Sequence, residues 1–245
     1  MVQSDTIYND SISSLHSESV NLKKEDNMNI KQAEKNVGGL SDPSKMPTYG
    51  TSLPADLCNV GSKLSKVENS ICSDCYAKKG RYVFDNVQNA MYRRLEKLND
   101  PAWIDSMAFL MNNKRIKKDG KQKGLKYFRW HDSGDLQNIR HLHMIAEVAK
   151  KSPNTKHWLP TRETETVAKA IKRGLKIPKN LTIRLSAMKF DKKAPEGMAR
   201  KHGLQVSGAT KKDSWTCLAP EQKGECRDCR KCWNQSEFNV VYKAH

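Results

Sequence analysis

The sequence lacks a long hydrophobic run, and this absence limits where the protein can work. Across 245 residues the mean hydropathy is −0.79, and no apolar stretch approaches the roughly 18 residues that cross a bilayer. Residues 1–30 carry acidic residues and many serines without a continuous apolar segment, so they do not resemble a secretory signal. We therefore expect a cytoplasmic, reducing location and no membrane partner.

Cysteine is missing from the 141 residues between Cys75 and Cys217, so the seven cysteines fall into two groups. In a reducing compartment, clustered cysteines are metal ligands more often than disulfides. Three thiolates at one end and four at the other predict two sites, the first with a vacant ligand position. A single site shared by the two ends is the alternative. The cysteines are Cys58, Cys72 and Cys75 in the first group, and Cys217, Cys226, Cys229 and Cys232 in the second.

Several common catalytic signatures are also absent. The sequence has no phosphate-binding glycine loop and no serine nucleophile elbow, which argues against P-loop nucleotide hydrolysis and serine-hydrolase chemistry. No catalytic residue follows from the sequence. Acidic residues are in the minority, with 27 against 44 lysines and arginines, for a net charge of +17. Such an excess attracts anions, with nucleic acid or a nucleotide the first candidate, although solvated lysine-rich faces would give the same count.

Composition divides the chain into three parts. Residues 1–45 are polar with isolated apolar residues, so we expect a disordered tail with at most a weak helix near 28–37. Residues 46–213 carry the apolar periodicity of a folded core. Residues 214–245 form a cysteine-rich, metal-binding C-terminal segment.

The apolar pattern of the core predicts alternating strands and helices. Strands are predicted at 125–130, 157–159 and 181–187, with helices after the first two, and 238–242 is a candidate last strand. The stretches 114–123 and 189–213 read as a basic loop and a polar connection. Strands alternating with helices imply parallel pairing, so we predict an α/β fold, either a partial (β/α) barrel or an open parallel sheet.

Polar clusters follow the predicted strands, where parallel sheets place their ligands. Ser133 and Asp135 could hold an ammonium or hydroxyl group, and Gly134 would let backbone approach a ligand. Alternatively, Gly134 makes a turn and Asp135 caps the next helix. Arg129, Arg162 and Arg184 could bind a carboxylate or phosphate if their side chains point inward.

The spacing of the cysteines leaves the metal open. Cys58, Cys72 and Cys75 suit a [4Fe–4S] cluster with one iron free for a small molecule, or zinc with a fourth ligand, or three unliganded thiols. The last four cysteines, spaced C-x8-C-x2-C-x2-C, predict a closed four-thiolate site for zinc or a second iron–sulfur cluster.

Three stretches together resemble the bacteriophage gene product 88 family, whose members are related to radical-SAM-like phage proteins. They are the Cys-Tyr-Ala-x-Lys-Gly stretch at 75–80, residues 128–136, and residues 226–233. Radical-SAM enzymes carry C-x3-C-x2-C on a partial barrel; Cys72 and Cys75 match its last two positions, whereas Cys58 departs, with thirteen residues intervening. The resemblance implies that Ser133, Gly134 and Asp135 contact S-adenosylmethionine, with Arg162 and Arg184 as further candidates for this contact.

These observations predict a phage-type radical-SAM-like iron–sulfur protein that takes an electron from a donor, cleaves S-adenosylmethionine and modifies an unknown substrate. The positive charge makes that substrate a candidate nucleotide or nucleic acid. One alternative is a basic zinc-binding, nucleic-acid-binding protein. Another is a catalytically inactive host-interaction protein on the same fold. If the chain is phage-encoded, the expected location is the host cytoplasm.

Overall fold

A computed structural model describes residues 28–118 and 121–244, without the side chains of 116–118 and 121–123. The helices are α1 (Ile30–Val37), α2 (Asn59–Leu64), α3 (Asp85–Lys97), α4 (Trp103–Asn113), α5 (Ile139–Lys151), α6 (Thr164–Lys172) and α7 (Glu196–Lys201). The strands are β1 (Arg115–Lys118), β2 (Lys121–Gly124), β3 (Tyr127–Arg129), β4 (Lys156–Thr161), β5 (Leu181–Ser186), β6 (Gln205–Thr210) and β7 (Asn239–Lys243).

Strands β3 to β7 form one sheet in sequence order, and every neighbouring pair is parallel. Helices α5, α6 and α7 connect the first four strands, because a parallel pair needs a crossover long enough to return to the starting edge. The result is an α/β fold with a five-stranded parallel half-barrel, which confirms the predicted fold class. All six residues of β5 are buried, as expected for a central strand covered on both faces.

One face of the sheet packs against helices and forms the main core. Phe128, Leu159 and Ile183 point to this face and join a buried cluster with residues of α4, α5 and α6. Burying each such side chain contributes roughly 1.5–3 kcal/mol, so this layer supplies most of the hydrophobic stabilisation.

Helices α3 and α5 have 13 residues each. Within the described ranges, no helix combines the length and apolar character needed to cross a membrane.

The opposite face, which we call the inner face, is covered by the cysteine-rich connection between β6 and β7. Trp158 and Val240 on the sheet pack against Trp233 of that connection. The indole Nε1 of Trp233 donates to the carbonyl oxygen of Phe128 at 2.8 Å. The cysteine-rich segment therefore belongs to the same folded body as the sheet, and its last strand, predicted at 238–242, is confirmed as β7.

Arg184 fixes this segment to the sheet. It lies on β5 between residues that face the helices, so the alternation of a strand turns it to the inner face. All five of its N–H groups donate to carbonyl oxygens, at 2.8–3.4 Å. Those oxygens belong to Cys232, Val206, Phe238, Lys231 and Asn234.

Three boundaries differ from those predicted. The helix near 28–37 is present as α1, and it packs into the core through Ala33 and Val37, so residues 28–45 are not a tail. Residues 1–27 of the predicted tail lie outside the described residues. The polar connection at 189–213 contains α7 and β6, and the basic loop at 114–123 contains the antiparallel pair β1–β2.

Replacing Arg184 by methionine should remove five hydrogen bonds to backbone carbonyl oxygens while keeping a side chain of similar length. The oxygens of Lys231, Asn234 and Phe238 keep a backbone amide donor. We expect the free energy of unfolding to fall by about 3 kcal/mol or more, because a hydrogen bond from a charged donor contributes about 1.5–3 kcal/mol. Urea denaturation measures this. The exposed Arg173 provides the matched control, and Arg173→Met should change stability by less than about 0.5 kcal/mol. Equal effects of the two substitutions would contradict the role of Arg184.

Candidate functional site

The first cysteine group, Cys58, Cys72 and Cys75, lies over the carboxyl edge of the half-barrel. Just before Cys72, the amide of Ile71 donates to the carbonyl oxygen of Met188, two residues after β5, at 3.0 Å. Cys58 immediately precedes α2, whose Val60 amide donates to a carboxylate oxygen of Glu163 at 2.7 Å. Glu163 follows β4, so separate contacts hold the two parts of the group against the ends of adjacent strands.

Gly61 brings Cys58 and Cys72 together. A methyl group added at Gly61 would lie 2.8 Å from Cβ of Cys58, 3.5 Å from its Sγ and 3.6 Å from Sγ of Cys72. Both sulfurs therefore face the same small space, and the missing side chain leaves room for it. Cys58 thus folds back across the thirteen intervening residues through one short helix. Gly61 lies three residues after Cys58, a spacing that puts the two on the same face of a helix.

The surroundings of Cys58 and Cys72 disfavour the thiolate forms of these two residues. Burial raises the pKa of Cys58 to about 12, and the negative charges of Asp135, Cys72, Cys75 and Glu163 add to the shift. Burial also raises the pKa of Cys72, while the nearby Arg162 guanidinium opposes the shift. Reactive cysteines have lowered pKa values, so these thiols do not resemble catalytic nucleophiles. A metal cation would favour their deprotonation.

Asp135 joins the carboxyl ends of β3 and β4. Its carboxylate accepts from the Thr161 hydroxyl at 2.6 Å, the Arg162 amide at 2.9 Å and the Leu136 amide at 2.7 Å. Burial raises the pKa of Asp135, and these hydrogen bonds oppose the shift. The predicted cofactor contact therefore already holds two strand ends together, and it lies close enough to Cys58 to influence that thiol electrostatically.

Ser133 and Gly134 are engaged with Leu53. The Ser133 hydroxyl donates to the Leu53 carbonyl oxygen at 3.0 Å, and the Leu53 amide donates to the Ser133 carbonyl oxygen at 2.9 Å. Gly134 has φ +77°, and a side chain there would come within 2.6 Å of the Leu53 Cβ. Leu53 therefore makes the close approach to Gly134 that was predicted for a ligand.

The two arginines predicted as cofactor contacts have different positions. Arg162 donates through Nε to the carbonyl oxygen of Ala187 at 3.2 Å and lies beside Cys72. Within the described residues its terminal Nη groups have no hydrogen-bond partner. Arg184 instead faces the cysteine-rich segment, with every N–H already used by backbone. Arg162 remains able to bind an anion next to the first group.

The second cysteine group, Cys217, Cys226, Cys229 and Cys232, lies over the inner face. Charges on Cys217 and Cys229 influence Cys226, and those on Cys217 and Cys226 influence Cys232, so the four thiols are neighbours. Burial raises the pKa of Cys232 to about 12. Cys232 Sγ lies 3.3 Å from the Tyr242 hydroxyl, and Cys226 Sγ lies 3.8 Å from Met46 Sδ.

Neither group has closed around a single ion. Within 28–118 and 121–244, no three His, Cys, Asp or Glu side chains are grouped closely enough to hold one metal ion, and all seven cysteines are free. Cysteine thiolates are ligands of both zinc and iron–sulfur clusters, so the donor set at each group fits either.

Arg129, the third arginine predicted as a possible carboxylate or phosphate ligand, lies between the two groups. Its Nη2 donates to the Tyr76 hydroxyl at 3.3 Å, and Tyr76 directly follows Cys75. Its Nη1 lies 3.8 Å from Met46 Sδ, which in turn contacts Cys226. The guanidinium also lies 4.8 Å from the centre of the Trp158 ring. Tyr76, directly after the Cys72-x-x-Cys75 pair, is the feature of the sequence that indicates this contact with Arg129.

A parallel α/β half-barrel with three thiols at its carboxyl edge and four over its inner face defines a class of cysteine-rich α/β proteins. Residues 18–235 match the family model described as gene product 88. Because this match spans most of the chain, the protein belongs to the gene product 88 family. No curated protein and no solved structure matches the chain.

Gly61 and Gly197 allow a matched test of the packing around Cys58, since both lie within helices. Alanine at Gly197 meets no atom within 4 Å, so it should stabilise the protein by about 0.5–1 kcal/mol through helix propensity. Alanine at Gly61 must displace Cys58, and overpacking costs about 1–3 kcal/mol, so it should destabilise. Urea denaturation of both variants checks this. If Gly61→Ala is as stabilising as Gly197→Ala, Cys58 does not occupy the position described.

Proposed function

We propose that the protein is a radical-SAM-like iron–sulfur protein in which Cys58, Cys72 and Cys75 bind a [4Fe–4S] cluster with one open iron. The proposed activity is reductive cleavage of S-adenosylmethionine to modify a substrate of the nucleotide or nucleic-acid class. The observation that carries the proposal is the return of Cys58 to Cys72 at the carboxyl edge of a parallel half-barrel. Ligands of open parallel sheets bind at that edge.

The number and chemistry of the thiols support this proposal. Three cysteine ligands leave one iron of a four-iron cluster without a protein ligand. When bound, such a cluster supplies the electron that splits the sulfonium of S-adenosylmethionine, and that electron must come from a separate donor. Burial raises the pKa of Cys58, so a bound cation would favour its thiolate form.

Charged residues of the chain would position the cofactor. Arg162 lies beside Cys72 with its terminal nitrogens free of described partners, so it suits the carboxylate of the cofactor. Asp135 and Glu163 bring negative charge close to Cys58, which suits the amino group. Ser133 and Gly134 hold the turn in place through Leu53.

Iron content after anaerobic purification tests the cluster. The intact protein should be brown, with about four irons for the first group and about four more if the second group also holds a cluster. Replacing Cys58, Cys72 and Cys75 together by alanine should remove about four irons and leave those bound by the second group. The reciprocal replacement of Cys217, Cys226, Cys229 and Cys232 should preserve the first four. A colourless protein with two zinc ions would overturn the proposal.

The activity has its own test. The iron-loaded protein, incubated with dithionite and S-adenosylmethionine, should release 5′-deoxyadenosine. Arg162→Met should weaken S-adenosylmethionine binding by about tenfold, since a hydrogen bond to a charged group contributes about 1.5–3 kcal/mol, whereas Arg173→Met at an exposed position should not. Iron without 5′-deoxyadenosine in any condition would instead indicate the catalytically inactive host-interaction protein.

A second candidate function is a zinc-binding, nucleic-acid-binding protein. The second cysteine group favours it, because four thiols form a closed ligand set and Arg230 and Lys231 lie between two of them. The net charge of +17 agrees with contacts to phosphates. The same metal analysis separates the two candidates, since zinc in both groups supports this one and iron in the first group supports the other.

A further inference from the structure

A cavity lies at the edge of the half-barrel opposite the first cysteine group. It has a volume of about 360 Å³ and lies between the starts of β3 and β4 and the turn that carries Cys229 and Cys232. Cavities of about 300–1,000 Å³ hold small-molecule-sized groups, so this one has room for a single nucleotide. Its lining residues are Tyr127, Lys156, Arg230, Lys231, Trp233 and Asn234.

The side chains that line this cavity carry positive charges that no acidic lining residue neutralises. Lys156, Arg230 and Lys231 contribute three positive charges, and no acidic side chain lines the cavity. The ion pairs among the described residues do not include any of the three. Carbonyl oxygens position two of them: Arg230 donates to that of Cys229 at 2.8 Å, and Lys231 to that of Thr216 at 3.3 Å. Three unneutralised cations around one cavity favour an anionic ligand.

Aromatic residues form the rigid part of the cavity. The rings of Tyr127 and Trp233 pack edge to face with centres 5.5 Å apart, and the Arg230 guanidinium lies 5.2 Å from the centre of the Tyr127 ring. Trp233 is buried and held by its hydrogen bond to Phe128. Planar guanidinium and aromatic groups stack on nucleobases, and adjacent cations bind phosphates.

We propose that this cavity binds one nucleotide unit of single-stranded nucleic acid, with Lys156, Arg230 and Lys231 on the phosphate and Tyr127 beside the base. Single strands are favoured because their bases are free to enter a cavity of this size. Arg230 and Lys231 lie between Cys229 and Cys232, so the second cysteine group positions two of the three cations. That gives the group a role in binding in addition to holding the inner face.

The larger cavity on the protein fits this ligand less well. It lies between α3 and α5, has a volume of about 790 Å³ and includes Arg93 and Arg140. Its lining also contains Glu96, and Arg93 donates to the carbonyl oxygen of Gly38 at 3.2 Å. Arg140 therefore provides a positive charge in a cavity of mixed sign, which makes it a matched control for Lys156.

The inference deepens the proposed function, because it rests on the nucleic-acid substrate class named there and assigns it a binding site. It does not depend on radical chemistry. Binding is measured without dithionite or S-adenosylmethionine, on the metal-loaded protein as purified. Loss of 5′-deoxyadenosine formation with intact binding would remove the proposed activity alone, and normal activity without binding would remove this inference alone.

The test is fluorescence anisotropy with a labelled single-stranded oligonucleotide of mixed sequence. Lys156→Glu should weaken binding by about tenfold and reduce the slope of log affinity against log salt by about 0.7, as expected for one lost phosphate contact. Arg140→Glu makes the same charge change in the other cavity and should alter affinity by less than about twofold. Equal losses from the two substitutions would show diffuse electrostatic binding and overturn the proposal.

Further variants and competitors test the nucleotide contact itself. Tyr127→Leu should weaken oligonucleotide binding about tenfold, the lower range for loss of base stacking, and leave competition by polyphosphate unchanged. Lys231→Gln removes one positive charge without adding a negative one, so it should weaken the binding of both the oligonucleotide and polyphosphate. Denaturation curves confirm that the variants are folded. If polyphosphate competes as well as the oligonucleotide and Tyr127→Leu has no effect, the cavity is only an anion site. Tighter binding of duplex than of single strand would also contradict the proposal.

Discussion

The five hydrogen bonds from Arg184 to backbone carbonyl oxygens hold the cysteine-rich segment against the sheet. A buried guanidinium is costly unless all its donors are satisfied, and here the partners come from β6, from the turn around Cys232 and from the residue before β7. One side chain on the central strand thereby closes the inner face. The cation that resembles a ligand-binding arginine in the sequence serves instead as the attachment point of the second cysteine group.

The two cysteine groups occupy positions that differ in kind. The first lies at the carboxyl edge, held by loop contacts to Glu163 and Met188 and bordered by charged side chains. The second lies over the inner face, with Tyr242 and Met46 against its sulfurs. Arg129 contacts the surroundings of both through Tyr76 and Met46. An edge position suits a site that exchanges ligands, and a position between a sheet face and the segment that covers it suits a site that holds structure.

Much of the half-barrel could be predicted because its central strands have strong apolar alternation. Strand β6 was missed since Val206 is its one large apolar residue; the ladders with β5 and β7 stabilise it instead. Helix α1 was expected to be weak, and its burial against α4 depends on a partner distant in sequence. That Arg184 points away from the helices follows from strand alternation, but its carbonyl partners, 22–54 residues away, could not be inferred. The return of Cys58 to Cys72 likewise depends on the geometry of α2 rather than on spacing.

The pairing of β6 with β7 joins two strands that lie on either side of the cysteine-rich connection. Val240 of β7 packs with Trp158 and Trp233 on the inner face, and the carbonyl oxygen of Phe238, just before β7, accepts from Arg184. Contacts between residues that are distant in sequence form slowly. We therefore expect the cysteine-rich segment to settle on the inner face in the same late step of folding that pairs β7 with β6.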